Sequence, residues 1–107
     1  MADNNYRIPA GASSAAKRAL AWIKDGKAGK GFTDVGRARA AQLARGGNVS
    51  RDVAVKMRAY FARHEVDRKA TGFRANQDGY PSPGRVAWDA WGGDAGRSWV
   101  NKLSLDD

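Results

Sequence analysis

Glycine and lysine alternate in the stretch DGKAGKGFT, residues 25 to 33, which ends on a threonine that can begin a helix. Glycine-rich loops in this position can bind phosphate, because their backbone N–H groups converge and the helix N-terminus adds partial positive charge. The nucleotide-binding P-loop requires a lysine directly after its second glycine, whereas Phe32 follows Gly31 here. The spacing therefore predicts a flexible basic loop that touches phosphate without holding a nucleotide.

A second glycine-rich turn, WGGDAG at residues 91 to 96, lies in a segment that holds three of the four tryptophans. Gly93 and Arg97 form a candidate anion site there, at the start of a helix. Against it, we expect Asp94 to cap that helix and to repel a second anion. The clustered tryptophans favour the other interpretation, in which the turn is a tightly packed corner between two helices.

Residues for catalysis or metal binding are sparse. The chain has one histidine and no cysteine, which excludes disulfides, thiolate metal sites and cysteine nucleophiles. His64 and Glu65 begin like the metalloprotease motif H-E-x-x-H, but Arg68 occupies the place of the second histidine. His64 falls on the apolar stripe of a helix, which is more typical of a hydrogen-bonded core residue than of a general base. We therefore predict no catalytic residue, metal site, cofactor or small-molecule substrate.

Positive charge is concentrated in the middle of the chain. The formal net charge is +8, and residues 17 to 74 contain 15 basic and 5 acidic side chains. Such a segment favours a polyanionic partner, above all the phosphate backbone of nucleic acid, although charge alone also serves solubility. The candidate contacts are basic side chains on the glycine-rich loop or on outward helix positions: Lys27, Lys30, Arg37, Arg45, Arg51 and Arg58.

The elements that position these groups are predicted to be helices. Alanine is abundant, and β-branched residues never alternate with polar ones over strand length, so we expect an all-α fold. The expected architecture is a compact bundle of four to five short helices with long polar loops and a tryptophan-rich core, which is built from the third, fourth and fifth helices. Residues 1 to 12 are predicted to form a flexible N-terminal arm, and residues 13 to 107 a single helical domain.

Capping residues and an apolar stripe locate the helices. The expected N-caps, in chain order, are Ser13 or Ser14, Thr33, Ser50, Ser82 and Asp94. The clearest element follows Ser50, where Val53, Met57, Tyr60 and Phe61 recur at helical spacing. This stripe must be buried, because leaving such side chains in water would forgo about 1.5 to 3 kcal/mol each.

The second and third predicted helices are joined by a short turn, Gly46-Gly47-Asn48-Val49. Its length suits a helix-turn-helix that reads DNA, but the small residue and the turn glycine of that motif do not fall at matching offsets. Basic residues also flank the third helix on both sides. A helical hairpin used for packing is the favoured interpretation, and nucleic-acid contact by this surface is the alternative.

Two runs of the chain, TDVGRARAAQLARGGNVSRDVAVKMRAYFARHEVD and YPSPGRVAWDAWGGDAGRSW, resemble a small domain of proteins encoded by tailed bacteriophages. This domain is often found near or within the head-assembly proteins of such phages. The resemblance covers about residues 32 to 100, and its most specific feature is the pairing of M-x-x-Y-F-x-R-H with W-G-G-D-x-G. It implies a phage origin, and it carries no reaction, ligand or functional residue to this chain.

Charge and resemblance together predict a non-enzymatic phage protein that contacts nucleic acid through its central basic region, in the virion or in the host cytoplasm. The alternative is a virion building block, a head accessory or decoration protein. Its basic surface would meet acidic patches of capsid proteins, with no nucleic-acid role. No apolar run approaches the roughly 20 residues that span a bilayer, so no membrane partner is expected.

Overall fold

The structure, a computed structural model, describes residues 5–105. The elements follow one another as β1 (Asn5–Arg7), α1 (Ala10–Lys24), α2 (Asp34–Arg45), β2 (Asn48–Ser50), α3 (Arg51–His64), a short 3-10 helix (Glu65–Lys69), α4 (Pro83–Ala90) and α5 (Gly93–Lys102). Within residues 5–105 the five α-helices dominate, and β1 and β2 form a small antiparallel pair. The predicted bundle of short helices is confirmed. No helix in this range combines the length and the apolar character needed to cross a membrane.

Three of the predicted helix caps are confirmed. The side-chain oxygens of Thr33, Ser50 and Ser82 accept the backbone N–H of the third residue that follows, at 3.1, 3.2 and 3.1 Å. Each hydroxyl thereby satisfies an N–H group that has no partner inside its helix. The starts of α2, α3 and α4 are thus determined by local side-chain chemistry.

The predicted caps of α1 and α5 are wrong. α1 begins at Ala10, before either serine expected to cap it, and Ser13 instead donates to a carbonyl oxygen of α2 at 3.2 Å. Asp94 lies within the first turn of α5, and Gly92 takes the cap position. The Asp94 carboxylate accepts the indole N–H of Trp88 at 3.0 Å, because that donor would otherwise be buried without a partner.

The N-terminal segment is held more firmly than the predicted arm. Tyr6 of β1 pairs with Val49 of β2, and the backbone N–H of Ile8 donates to the carbonyl of Gly47 at 2.8 Å. Ile8 is itself buried, so backbone pairing and apolar burial together fix this segment. Residues 5–12 therefore belong to the folded domain, and the first four residues of the predicted arm lie outside the described residues.

Trp88 is the largest fully buried side chain and lies at the centre of the core. Its ring meets Phe61 and Phe73 edge to face, with ring centroids 4.8 and 5.7 Å apart. Such pairs add about 0.5–1.5 kcal/mol each beyond the area that they bury. Met57 is also buried, which confirms the inward orientation of the α3 stripe. Contrary to expectation, α1 and α2 join this core as well, through small alanines and Leu43.

The Gly92-Gly93 turn packs directly on the alanine-lined face of α1. Gly92 and Gly93 have φ angles of +116° and +65°, which glycine adopts at little cost. A Cβ atom on Gly93 would lie 2.8 Å from the Cβ atom of Ala15, closer than two carbon atoms can approach. The turn thus lets α4 and α5 fold over α1, as the packed-corner interpretation predicts.

Substituting Gly93 with alanine is expected to lower the free energy of unfolding by about 2–5 kcal/mol. Left-handed backbone costs a residue with a side chain about 1–2 kcal/mol, and overpacking adds about 1–3 kcal/mol. Gly26→Ala is the matched control, because Gly26 has a φ of +79° with no atom within 4 Å of its Cβ position. Urea unfolding of both variants measures the difference. Equal losses would show that the corner is not closely packed.

Candidate nucleic-acid interface

A cleft of about 740 Å³ opens between the loop before α2, one flank of α3 and the start of α4. We call it the loop–α3 cleft. Its volume lies within the range of roughly 300–1,000 Å³ that is typical of ligand-binding clefts. The lining residues that carry charge or aromatic rings are Lys30, Phe32, Lys56, Tyr60, Arg63, His64, Asp67 and Trp91.

Three cations from two separate segments line this cleft. Lys30 comes from the glycine-rich loop, and Lys56 and Arg63 lie two turns apart on one flank of α3. Lys30 and Arg63 are exposed, while Lys56 approaches Asp52 at 3.2 Å in an exposed pair of the kind that contributes little stability. Asp67 is the one carboxylate among the described lining residues. The lining is therefore positively charged.

A stack of rings forms one wall of the cleft. The rings of Trp91 and Tyr60 are nearly parallel, with centroids 4.7 Å apart and an angle of 7°. Tyr60 also stacks with His64 at 4.5 Å and 26°. The guanidinium of Arg39 lies 5.3 Å from the Trp91 ring centroid. We call this series, Arg39–Trp91–Tyr60–His64, the ring column.

His64 is not the core residue that the sequence predicts. Its side chain is 40% exposed, and its Nδ1 atom lies 3.1 Å from a carboxylate oxygen of Asp67. The fully buried part of the α3 stripe ends one turn earlier, at Phe61, because α3 gives way to the 3-10 helix after His64. The predicted hydrogen bond is confirmed and the predicted burial is wrong. The imidazole is held in place at the end of the ring column.

The hydroxyl of Tyr60 is buried beside the cleft. Tyr60 is 5% exposed, and its hydroxyl has no hydrogen-bond partner among residues 5–105. Burial raises the pKa of this phenol above its ordinary value, and the negative charges of Asp67 and Asp89 add to the effect. Tyr60 therefore remains a neutral phenol, with a hydrogen-bond donor that no described residue uses.

Phe32 forms the loop side of the cleft. Its ring packs on the first turn of α2, where Gly36 has no side chain, and two ring carbons lie 3.1 and 3.2 Å from the position of a Cβ atom. The guanidinium of Arg37 lies 5.6 Å from the Phe32 ring centroid and pairs with Asp34 at 3.0 Å. Gly36 thus permits the close approach of the Phe32 ring.

The predicted contacts of the loop and of the start of α2 lie at or near the cleft. Lys30 lines it, and Arg37 covers the Phe32 ring. Lys27 is exposed on the same loop but does not line the cleft. The glycine-rich loop thus presents its lysines outward, as a loop that touches phosphate must.

The remaining predicted contacts lie elsewhere. Arg45 lines a second cleft, of about 590 Å³, together with Arg7 and Trp99. Arg51 is partly buried and donates to a backbone carbonyl near the end of the described chain. Arg58 is also partly buried and engaged with other residues. The structure therefore does not bring these three arginines together with Lys30.

The groups of the candidate anion site at Gly93 and Arg97 already meet carboxylates. An Asp89 carboxylate oxygen lies 3.1 Å from the position of a Cβ atom on Gly93. Arg97 pairs with Glu65 at 2.9 Å. Negative charge is therefore in place at both groups, and the geometry favours the packed corner over an anion cradle.

Asp89 is the one buried charged residue among those the structure describes. Its two carboxylate oxygens approach the Nε atoms of Arg18 at 2.8 Å and of Arg85 at 3.3 Å, so it ties α4 to α1. Burial raises the pKa of this carboxyl, and the arginines offset only part of the effect. This cluster lies outside the loop–α3 cleft and serves the packing of the helices.

No protein family, curated protein or solved structure was found to match this chain. The resemblance to a tailed-phage domain therefore stays a prediction, and the cleft has to be interpreted from its own chemistry. Within residues 5–105, no three His, Cys, Asp or Glu side chains are grouped so that they could hold a metal ion. The groups that line the cleft are cations, aromatic rings, apolar side chains and one described carboxylate.

Lys56 and Arg63 are the cleft cations that sequence reasoning does not select. Their spacing of seven residues places them on the same flank of α3, beside the buried stripe, and that spacing is visible in the sequence. The sequence does not show which elements of the fold lie opposite this flank of α3. Only the packing of the loop and of α4 against α3 turns it into the side of a cleft.

Proposed function

We propose that the protein binds nucleic acid through the loop–α3 cleft and the basic loop beside it, without catalysing a reaction. The observation that carries this proposal is the meeting of Lys30, Lys56 and Arg63 around one cleft, where Asp67 is the one described carboxylate. Clefts lined by one sign of charge concentrate the electrostatic field and attract the opposite charge. A strand of phosphates supplies that charge at regular intervals.

Two of the three cleft cations, Lys30 and Lys56, are of a kind that suits phosphates better than base edges. Lysine is a point charge on a flexible stem, and Lys30 stands on a loop with three nearby glycines. Such groups follow a backbone and do not fix the paired donors that read one base. Phosphate contacts position a protein without reporting sequence, so the binding should have weak sequence specificity.

The resemblance to a tailed-phage domain fits this proposal, because nucleic acid is present both in the virion and in the host cytoplasm. The alternative function, a head accessory protein that contacts only capsid proteins, predicts different behaviour in solution. It predicts no binding to free DNA or RNA beyond the general attraction between a basic protein and a polyanion, which depends on the charge of the whole molecule. Binding to a labelled oligonucleotide that depends on the cleft cations therefore separates the two functions.

We expect the affinity for a fluorescent oligonucleotide to fall steeply as salt increases. Three to six phosphate contacts predict a slope of log K against log salt of about −2 to −4 on a single strand. Fluorescence anisotropy over about 50 to 200 mM salt measures this slope. Oligonucleotides of unrelated sequence should give similar values. Anisotropy that stays flat at the lowest salt would overturn the proposal.

A further inference from the structure

We infer that the loop–α3 cleft accepts an unpaired base of a single-stranded nucleic acid, stacked on His64 at the open end of the ring column. The inference rests on the proposed function and adds the kind of strand that is bound. It starts from the faces of the rings. Tyr60 stacks with both Trp91 and His64, and Trp91 has Arg39 as a further neighbour.

His64 differs from the other rings of the column. Among the described residues, Tyr60 is the one aromatic side chain in contact with it, and its side chain is 40% exposed. The hydrogen bond to Asp67 holds the imidazole in position before any ligand arrives. A planar ring that enters the cleft can therefore continue the column with little reordering, which lowers the entropic cost of binding.

The surroundings of His64 suit both the base and the phosphates of a nucleotide. The cleft is also lined by apolar groups, including Phe32, Val35 and Ala87, which can contact the faces and edges of a base. The cations at Lys30, Lys56 and Arg63 can neutralise the phosphates on either side of that base. Aromatic rings beside a positively charged groove are the combination by which proteins hold single strands.

A duplex cannot use this site without disruption. Its bases are stacked on their neighbours and paired, so no ring face is available to the column. A single strand can turn one base out of its own stack at small cost. The same cations would contact the backbone of a duplex. The duplex should therefore bind through phosphate contacts alone, without stacking of a base.

The test compares labelled oligonucleotides of equal length that differ in whether they carry unpaired bases. Oligothymidylate offers bases and phosphates, an abasic strand offers phosphates alone, and oligouridylate distinguishes RNA from DNA. At one salt concentration we expect oligothymidylate or oligouridylate to bind at least about five-fold more tightly than the abasic strand, as the stacking of one base predicts. A blunt duplex should bind through its phosphates alone, with the steeper salt dependence that follows from its higher charge density.

Two variants test whether the preference for strands with unpaired bases depends on the ring column. His64→Ala removes the ring, and it should bring the ratio of the affinities for oligothymidylate and for the abasic strand close to one. His64→Phe keeps a ring and loses the bond to Asp67, and it should retain most of the preference. Circular dichroism checks that both variants are folded.

Equal affinities of the native protein for oligothymidylate, oligouridylate and the abasic strand would overturn the inference while leaving the proposed function intact. Absence of binding to every strand would overturn the proposed function itself.

Discussion

Replacing Arg18 with methionine is expected to lower the free energy of unfolding by about 3 kcal/mol at neutral pH. Methionine keeps much of the side-chain volume and removes the cation that contacts Asp89 at 2.8 Å. The Asp89 side chain is 1% exposed, so its carboxylate would keep Arg85 alone as a partner inside the protein. Breaking a buried ion pair typically costs about 3–5 kcal/mol, and the expectation lies at the lower end because the Arg18 side chain is 46% exposed and Arg85 remains as a partner of Asp89.

The pH dependence of stability should report this loss. In the unfolded chain Asp89 titrates near 3.8, and in the folded protein burial raises its pKa. The folded state thus keeps the proton to higher pH than the unfolded state, and stability declines as pH rises from about 3.8 through the raised value. Removing Arg18 raises the pKa of Asp89 further, so the decline in stability continues to higher pH. The cost of Arg18→Met should therefore be small at acid pH and grow towards neutral pH.

Two further variants make the interpretation specific. Lys17→Met removes an exposed cation from the same helix, and it should change the free energy of unfolding by no more than about 0.5 kcal/mol. In an Asp89→Asn background position 89 carries no charge, so Arg18→Met should cost less than about 1 kcal/mol. Urea unfolding between about pH 4 and 8 measures each case. A cost that is the same with aspartate and with asparagine at position 89 would contradict the role given to this ion pair.

The helices of the central chain can be predicted because their starts depend on neighbouring residues. Thr33, Ser50 and Ser82 each cap the helix that directly follows, and no distant contact is needed for that interaction. The start of α1 is different. The segment before it is fixed by the pairing of β1 with β2, far along the chain, and residues 5–7 carry no local signal of that pairing.

The cleft is predictable in its charge and not in its shape. The glycine-rich loop marks Lys27 and Lys30 as exposed cations, which the structure bears out. Helical periodicity likewise places Tyr60 on the buried side of α3. Periodicity cannot show that the Tyr60 ring stacks with both Trp91 and His64, because this depends on where the end of α4 places Trp91 beside α3. The ring column is a property of that tertiary packing.

Neutralising the three cleft cations together is expected to weaken oligothymidylate binding on the order of 10²-fold at about 50 mM salt. The variant is Lys30→Gln, Lys56→Gln and Arg63→Gln. Each phosphate contact on a single strand contributes about −0.7 to the slope of log K against log salt, so the slope should become about 2 units shallower. Extrapolated to high salt, the affinities of the variant and the native protein should converge, because the lost interaction is electrostatic.

A matched variant separates this site from the total charge of the protein. Lys17→Gln, Lys24→Gln and Lys102→Gln also remove three positive charges, and these lysines are exposed on α1 and α5 away from the cleft. A general electrostatic attraction depends on the charge of the whole molecule and predicts equal losses for the two variants. A binding cleft predicts that the matched variant loses only a few-fold in affinity and nearly keeps the native salt slope. Equal slopes in the two variants would show that the three cations form no site.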